Sequence, residues 1–324
     1  MTSSNSQSQR ATVFFAASES DANLYYATKF IAPDPFIYLE IKGERILVMS
    51  DLEMDRAKSQ SSVDRVLSYS EVEGRAKTQG IAEPGTVEVV HILLREAGIT
   101  QILVPANFPF GHAVKLQALG YQLHPKRDPF YEQRVVKTAE EVRHIEAAQR
   151  ATEQAVAAAH DLLRQASINK DQLWFEGVPL TSERVKKFIN VALMESDCVA
   201  QHTIVAGGEQ ACDPHNEGSG PLPAHRSVIF DVFPRSASNR YFADMSRTVV
   251  RGTPSPELKR LYQTVLDAQE EAITKIKDGA DGKRIHQGIC ARFEKAGYQT
   301  GLVNGRMQGY FHGTGHGVGL DIHE

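Results

Sequence analysis

The run Val228-Ile229-Phe230-Asp231-Val232-Phe233 sets one carboxylate among five large apolar residues. Thirteen positions later Asp244 sits in a second strand-like run, Tyr241-Phe242-Ala243-Asp244-Met245-Ser246-Arg247-Thr248-Val249-Val250. Between them, Pro234-Arg235-Ser236-Ala237-Ser238-Asn239-Arg240 has the composition of a turn. Antiparallel pairing across that turn brings the two aspartates near each other. A strand this apolar is buried on one or both faces, where an unpaired carboxylate is costly. Two carboxylates held together repel unless a proton or a cation lies between them. A divalent metal removes both penalties; the plain alternative is an ion pair of Asp231 with Arg247 or Arg240.

The end of the chain, Phe311-His312-Gly313-Thr314-Gly315-His316-Gly317-Val318-Gly319-Leu320-Asp321-Ile322-His323-Glu324, alternates histidine with glycine. So much glycine excludes a helix and lets the backbone come close to something. Val318, Leu320 and Ile322 fall at every second place and predict a strand, with His316 on their face and His323 on the other. His316 adds an imidazole to the two carboxylates, a donor set that suits manganese, cobalt, iron or zinc. A phosphate cradle is not supported, because no Lys-Ser/Thr pair and no helix follow the glycines. No Gly-x-Ser-x-Gly elbow is present, and the cysteines lack a nucleophile motif. His215, behind Pro214 in a polar loop before the Asp231 strand, reads as a solvated residue or as a substrate contact. His91, His112, His144 and His160 read as surface or packing residues.

Outward from these stretches, Thr138-Ala139-Glu140-Glu141 has the form of a capping box. It opens a long helix whose apolar face runs from Val142 through Ile145, Ala148, Thr152, Val156 and Ala159 to Leu163. Val185, Phe188, Ile189, Ala192 and Leu193 mark a second helix. Ser255-Pro256 opens a third, and a fourth with Ile285, Ile289 and Phe293 ends at Gly297. Two helices followed by polar-decorated strands thus occur twice, an order that suits a two-fold-like arrangement with a site between the halves. Upstream, strands over 12–16, 36–41 and 45–49, with a turn at Gly43, precede a helix over 87–97, a strand over 101–104, a helix near 114–119 and a strand at 121–123. This alternation predicts a small α/β domain. Pro125 and Pro129 mark its end.

A length of 324 residues suggests two domains. A net charge of -4 and a pI near 6.3 give no electrostatic case for nucleic acid or an anionic membrane. Cys198, Cys212 and Cys290 are far apart and without CxxC spacing, which points to a reducing, cytoplasmic setting. The apolar run Val13 to Ala17 is too short for a signal peptide or a membrane span.

Taken together, these residues resemble the metallopeptidases of the pita-bread fold, in particular Xaa-Pro aminopeptidases and prolidases with a creatinase-like N-terminal domain. The resemblance covers most of the chain. It rests on Lys137-Thr138 to Ile145, His215, Asp231, Ala243-Asp244-Met245-Ser246-Arg247-Thr248, and His312 to Glu324. The Ser/Gln-rich opening over 1–10 reads as a disordered leader, and the resemblance implies an α/β creatinase-like domain over 11–134 and an α+β pita-bread catalytic domain over 135–324. It also implies that Asp231, Asp244 and His316 are metal ligands, that His215 and His323 contact the scissile peptide group, and that His312 lines the pocket. The cofactors implied are two divalent metal ions, manganese first, with cobalt, zinc or iron as alternatives. The reaction implied is hydrolysis of the N-terminal bond of peptide substrates with proline in second position, by a metal-activated water in a homodimer. The rival readings are a noncatalytic pita-bread protein that binds peptides and a creatinase-like C–N hydrolase, whose relatives lack the metal aspartates. Two features depart from the family pattern. Phe233 stands where the family usually has glycine, ahead of a longer loop to Asp244. The two glutamates that complete the site are expected beyond Glu324, so the catalytic domain is expected to be truncated at its C-terminus and the chain by itself to be inactive.

Overall fold

The computed structural model describes residues 10–324. Residues 1–9 of the expected leader lie outside the described residues, and Arg10, expected to be disordered, already belongs to a strand. The chain divides into two compact units, one ending at Val136 and one starting at Lys137.

The first unit is a six-stranded mixed sheet in the order β4-β3-β2-β1-β5-β6. Its strands are β1 (Arg10–Ala16), β2 (Phe36–Ile41), β3 (Glu44–Met49), β4 (Arg65–Ser68), β5 (Gln101–Pro105) and β6 (Gln122–Lys126). Its helices are α1 (Ala22–Thr28), α2 (Met54–Gln60), α3 (Tyr69–Thr78), α4 (Thr86–Glu96) and α5 (Phe110–Ala118). Strands β1, β2 and β3 pair antiparallel, and the outer pairings are parallel. Lys42 (φ 53°) and Gly43 (φ 86°) make the β2–β3 turn, two left-handed residues whose twist suits a tight hairpin. Successive residues of each strand enter opposite cores. Val13, Leu39 and Val48 pack with Val72 of α3 and Val90 of α4, whereas Phe14, Tyr38 and Leu47 pack with Leu24 of α1 and Ala57 of α2. The stretch from His124, expected to mark the end of the first domain, is itself built into that unit. Pro125 lies within β6, an edge strand, where a missing backbone donor leaves no ladder bond unmade. Phe130 beyond it is buried in the core around Phe14.

The second unit begins with α6 (Ala139–Gln165), capped as expected: Thr138 accepts from the Glu141 amide at 3.2 Å and its own amide donates to Glu141 at 2.7 Å. A small meander, β7 (Ser167–Asn169), β8 (Gln172–Phe175) and β9 (Val178–Pro179), leads to α7 (Ser182–Met194) and the short strand β10 (Cys198–Val199). Strands β11 (Ile204–Gly207), β12 (Val228–Val232) and β14 (Met245–Val249) form an antiparallel sheet in that order. Val228, Phe230 and Val232 are each 0% exposed and pack on Ala155 and Ala159 of α6, small residues that let helix and sheet approach closely. Ile229 and Asp231 alternate onto the other face and are half-buried, so the strand is covered fully on one side only. The 234–240 segment is more than a turn. Its Arg235–Ser236 strand, β13, pairs with β10, and Arg240 takes a left-handed φ of 68°.

Helices α8 (Pro256–Lys275) and α9 (Gly282–Lys295) follow, capped by Ser255 and Asp281, and lead into the hairpin β15 (Gly301–Val303) and β16 (Arg306–Gln308). The strand expected from Val318, Leu320 and Ile322 does not form. Its amides are used within the segment: Leu320 N and Asp321 N donate to the Glu324 carboxylate, Gly319 N to Asp321 O and Glu324 N to Gly317 O. No helix of the described residues is long and apolar enough to cross a membrane. Phe230→Ala opens a cavity in the second core, where Phe230 is fully buried, and is expected to destabilise the protein by about 3–5 kcal/mol, measured as a lower urea midpoint.

Candidate metal centre

Register places the two aspartates on one face. Asp231 of β12 stands opposite Ser246 of β14, and Asp244 lies two residues from Ser246, making it a diagonal neighbour of Asp231. Asp231 Oδ1 accepts the Ser246 hydroxyl at 2.7 Å. The Arg247 guanidinium, the alternative partner in the sequence, instead donates to the Ser246 carbonyl at 2.8 Å. The Asp244 amide donates to Gln149 Oε1 of α6 at 3.3 Å, which ties the start of β14 to the helix.

The Asp244 carboxylate lies 3.4 Å from His316 Nε2, with the two side chains 29% and 38% exposed, so a ligand can reach both. Burial foremost, and then the Asp231 carboxylate, push the Asp244 carboxyl above its usual range, while His316 and His323 draw it back down. The His323 ring meets the His316 ring edge-on, with centroids 4.4 Å apart. The expected separation of these two histidines on opposite faces of a strand is therefore replaced by direct contact, because the segment turns instead of extending.

His316 Nδ1 lies 2.9 Å from the Gly317 carbonyl oxygen. A carbonyl only accepts, so Nδ1 carries a proton and Nε2 is the nitrogen turned towards Asp244. A ring nitrogen this close to a carboxylate oxygen shares a proton or a cation with it. With a cation there, the imidazole would ligate through Nε2 while its other nitrogen is held by a carbonyl. The donor chemistry of Asp231, Asp244 and His316 therefore fits a divalent cation. Among the described residues no group of three or more His, Cys, Asp or Glu side chains is already arranged to hold a metal ion, and one Asp231 oxygen is engaged by Ser246.

His312 and His215 lie in other surroundings. His312 is exposed, with Nδ1 at 2.8 Å from Gly313 O and its ring 4.6 Å from that of Tyr310. His215 is exposed in the loop after the 3-10 turn Gly208–Cys212, and its amide donates to Asp213 Oδ1 at 3.1 Å.

The glycines are not equivalent. A Cβ on Gly317 would strike the Glu324 carbonyl, and one on Gly319 would strike the Glu324 carboxylate, whereas Gly315 has open space around it. What the backbone approaches at these two positions is the end of its own turn. Phe242 N donates to Gly319 O at 2.8 Å, which fastens that turn to the hairpin beside Asp244. Sequence reasoning missed Gln149, Ser246 and the Glu324 carboxylate. It saw Glu141 as a cap, but the other carboxylate oxygen of Glu141 accepts the Tyr241 hydroxyl at 2.8 Å in a buried bond. Periodicity carries no signal for such contacts.

A model described as metallopeptidase family M24 matches residues 143–324. An Xaa-Pro dipeptidase of Pyrococcus horikoshii is 25% identical over 307 residues, covering 93% of this chain and 76% of that protein. An Xaa-Pro dipeptidase of Pyrococcus furiosus is 28% identical over 192 residues, covering 59% of this chain, and the match spans about half (49%) of that relative. Among solved structures, a prolidase from Pyrococcus furiosus shares the fold with a TM-score of 0.75 at 21% identity, covering 97% of this chain and 81% of that one. An X-Pro aminopeptidase from Thermotoga maritima gives the same TM-score, 0.75, at 19% identity, covering 97% of this chain and 81% of that one.

Gly319→Ala should destabilise the protein by about 1–3 kcal/mol through overpacking against Glu324. Gly315→Ala should stay within about 0.5 kcal/mol of the parent. Thermal and urea unfolding of the pair measures the difference.

Proposed function

Because the chain belongs to metallopeptidase family M24, we propose that Asp231, Asp244 and His316 hold divalent metal and that the protein hydrolyses the N-terminal bond of Xaa-Pro peptides. The observation that carries the metal reading is His316 Nε2, 3.4 Å from the Asp244 carboxylate while Nδ1 is committed to Gly317 O. A second carboxylate, Asp231, on the same face of the sheet makes a cation the economical neutraliser. The names of the Pyrococcus relatives, both Xaa-Pro dipeptidases, support proline in the second position.

When bound, a divalent cation supplies Lewis acidity and makes a water acidic enough to attack a carbonyl near neutral pH. The chain's own side chains do the rest. His323, packed edge-on against His316, and His215, on its exposed loop, donate N–H groups to the scissile carbonyl oxygen as charge builds on it. His312, beside Tyr310, lines the pocket that receives the peptide. Two ions, manganese first, suit this donor set, and three protein donors leave positions for water, substrate and further carboxylates. The same reading includes a cytoplasmic setting, for which the three free cysteines are the support, and a homodimer, which rests on the family resemblance alone.

The test uses metal-stripped protein titrated with manganese, followed by release of proline from Xaa-Pro dipeptides. Asp244→Ala and His316→Ala are each expected to lower manganese affinity on the order of 10²-fold or more, and any turnover of the parent with it. Unchanged manganese affinity would overturn the assignment. Peptide binding without metal uptake or hydrolysis would favour the noncatalytic reading.

A further inference from the structure

Lys137 and Glu324 take no part in that chemistry, yet their side chains are only 15% and 5% exposed and stand 3.3 Å apart. Buried charges are costly unless paired and hydrogen-bonded, and Glu324 is both. Its Oε1 faces Lys137 Nζ, and its Oε2 accepts the amides of Leu320 at 2.7 Å and Asp321 at 3.2 Å. The Glu324 amide in turn donates to Gly317 O at 3.0 Å. That same carbonyl accepts His316 Nδ1 at 2.9 Å. The position of Glu324 therefore sets the carbonyl that holds the His316 ring through Nδ1, and Glu324 directly follows His323.

Lys137 anchors this arrangement to α6. The residue after it is the Thr138 cap, whose partner Glu141 holds Tyr241, and the next residue, Phe242, donates to Gly319 O. One helix start thus grips both walls of the site.

We propose that the Lys137–Glu324 ion pair is a positioning device that sets His316 and His323 against Asp244. The proposal rests on the metal reading above for its effect on affinity, but not for its effect on the histidines. Orienting groups behind a metal ligand typically change affinity 10–100-fold, which sets the scale expected here.

The experiment compares Lys137→Met, Glu324→Gln, Lys137→Arg and the Lys137→Met/Glu324→Gln double variant with the parent. Manganese affinity is read by calorimetry, and the Cε1–H resonances of His316 and His323, assigned by their loss in His316→Gln and His323→Gln, are read in metal-free protein. Lys137→Met and Glu324→Gln should each weaken manganese binding about 10–100-fold and shift both resonances. Lys137→Arg should leave both near the parent, and the double variant should be no worse than the worse single one. Loss of thermal stability with unmoved resonances and affinity overturns the proposal, because it marks a merely structural pair. Should the parent bind no manganese, the metal reading fails on its own, and the metal-free resonances decide: shifted signals support positioning and unshifted signals overturn it. Should either single variant fail to fold by circular dichroism, Glu324→Asp, one methylene shorter, takes its place with the same two outcomes.

Discussion

Asp231 and Asp244 carry like charge on one face of one small sheet, and the fold keeps them there. The register of β12 against β14 makes them diagonal neighbours, and burial raises the Asp244 carboxyl further than the charge of its neighbour does. A chain selected for stability alone would relieve such a pair by replacing one member with an apolar residue. The surrounding structure instead supplies partial compensation. Ser246 donates to Asp231, Gln149 restrains the backbone of Asp244, and an imidazole faces its carboxylate. His316 Nε2 and an Asp244 oxygen stand 3.4 Å apart, and on the proposed reading a cation is held between them.

Holding that arrangement requires two walls that are far apart in sequence, and α6 supplies the common support. Its alanines allow β12 and β14 to pack closely, so the hairpin is backed by the helix. Its first turn reaches the front, with Glu141 on Tyr241 and, just ahead of the cap, Lys137 on Glu324. The terminal turn is too rich in glycine to hold a shape by itself, since each glycine adds backbone entropy to the unfolded chain. Its shape comes from a carboxylate folded back on its own amides, and Gly317 and Gly319 are the positions where any side chain would block that fold.

On the proposed reading, the chain's own residues divide into those with donors for a cation or a carbonyl and those that aim them. The aiming groups are ordinary elements of protein structure: a capping box, a buried ion pair and a tyrosine hydroxyl on a carboxylate. The ion pair leads to His316 through the Gly317 carbonyl, which accepts from both the Glu324 amide and His316 Nδ1. Positioning of this kind is as much a part of a metal site as the ligands themselves.

The sequence by itself determined the local elements and the donor residues. The capping box at Thr138, the Lys42-Gly43 hairpin, the Ser255-Pro256 helix start and the Asp231–Asp244 hairpin all follow from signals within a few residues, because caps, turns and strand alternation are satisfied locally. The contact of His316 with Asp244 was legible only as a pairing of motifs, and that of His316 with His323 was predicted the wrong way round. Tertiary structure alone decided that the glycine segment closes into a turn, that Glu324 occupies its centre, and that Pro125 sits in an edge strand. Alternation of apolar residues states which faces a segment has, but a strand exists only if another strand takes its amides. For Leu320 and Asp321 a carboxylate takes them, and that carboxylate is paired with Lys137, almost the whole length of the second unit away in sequence.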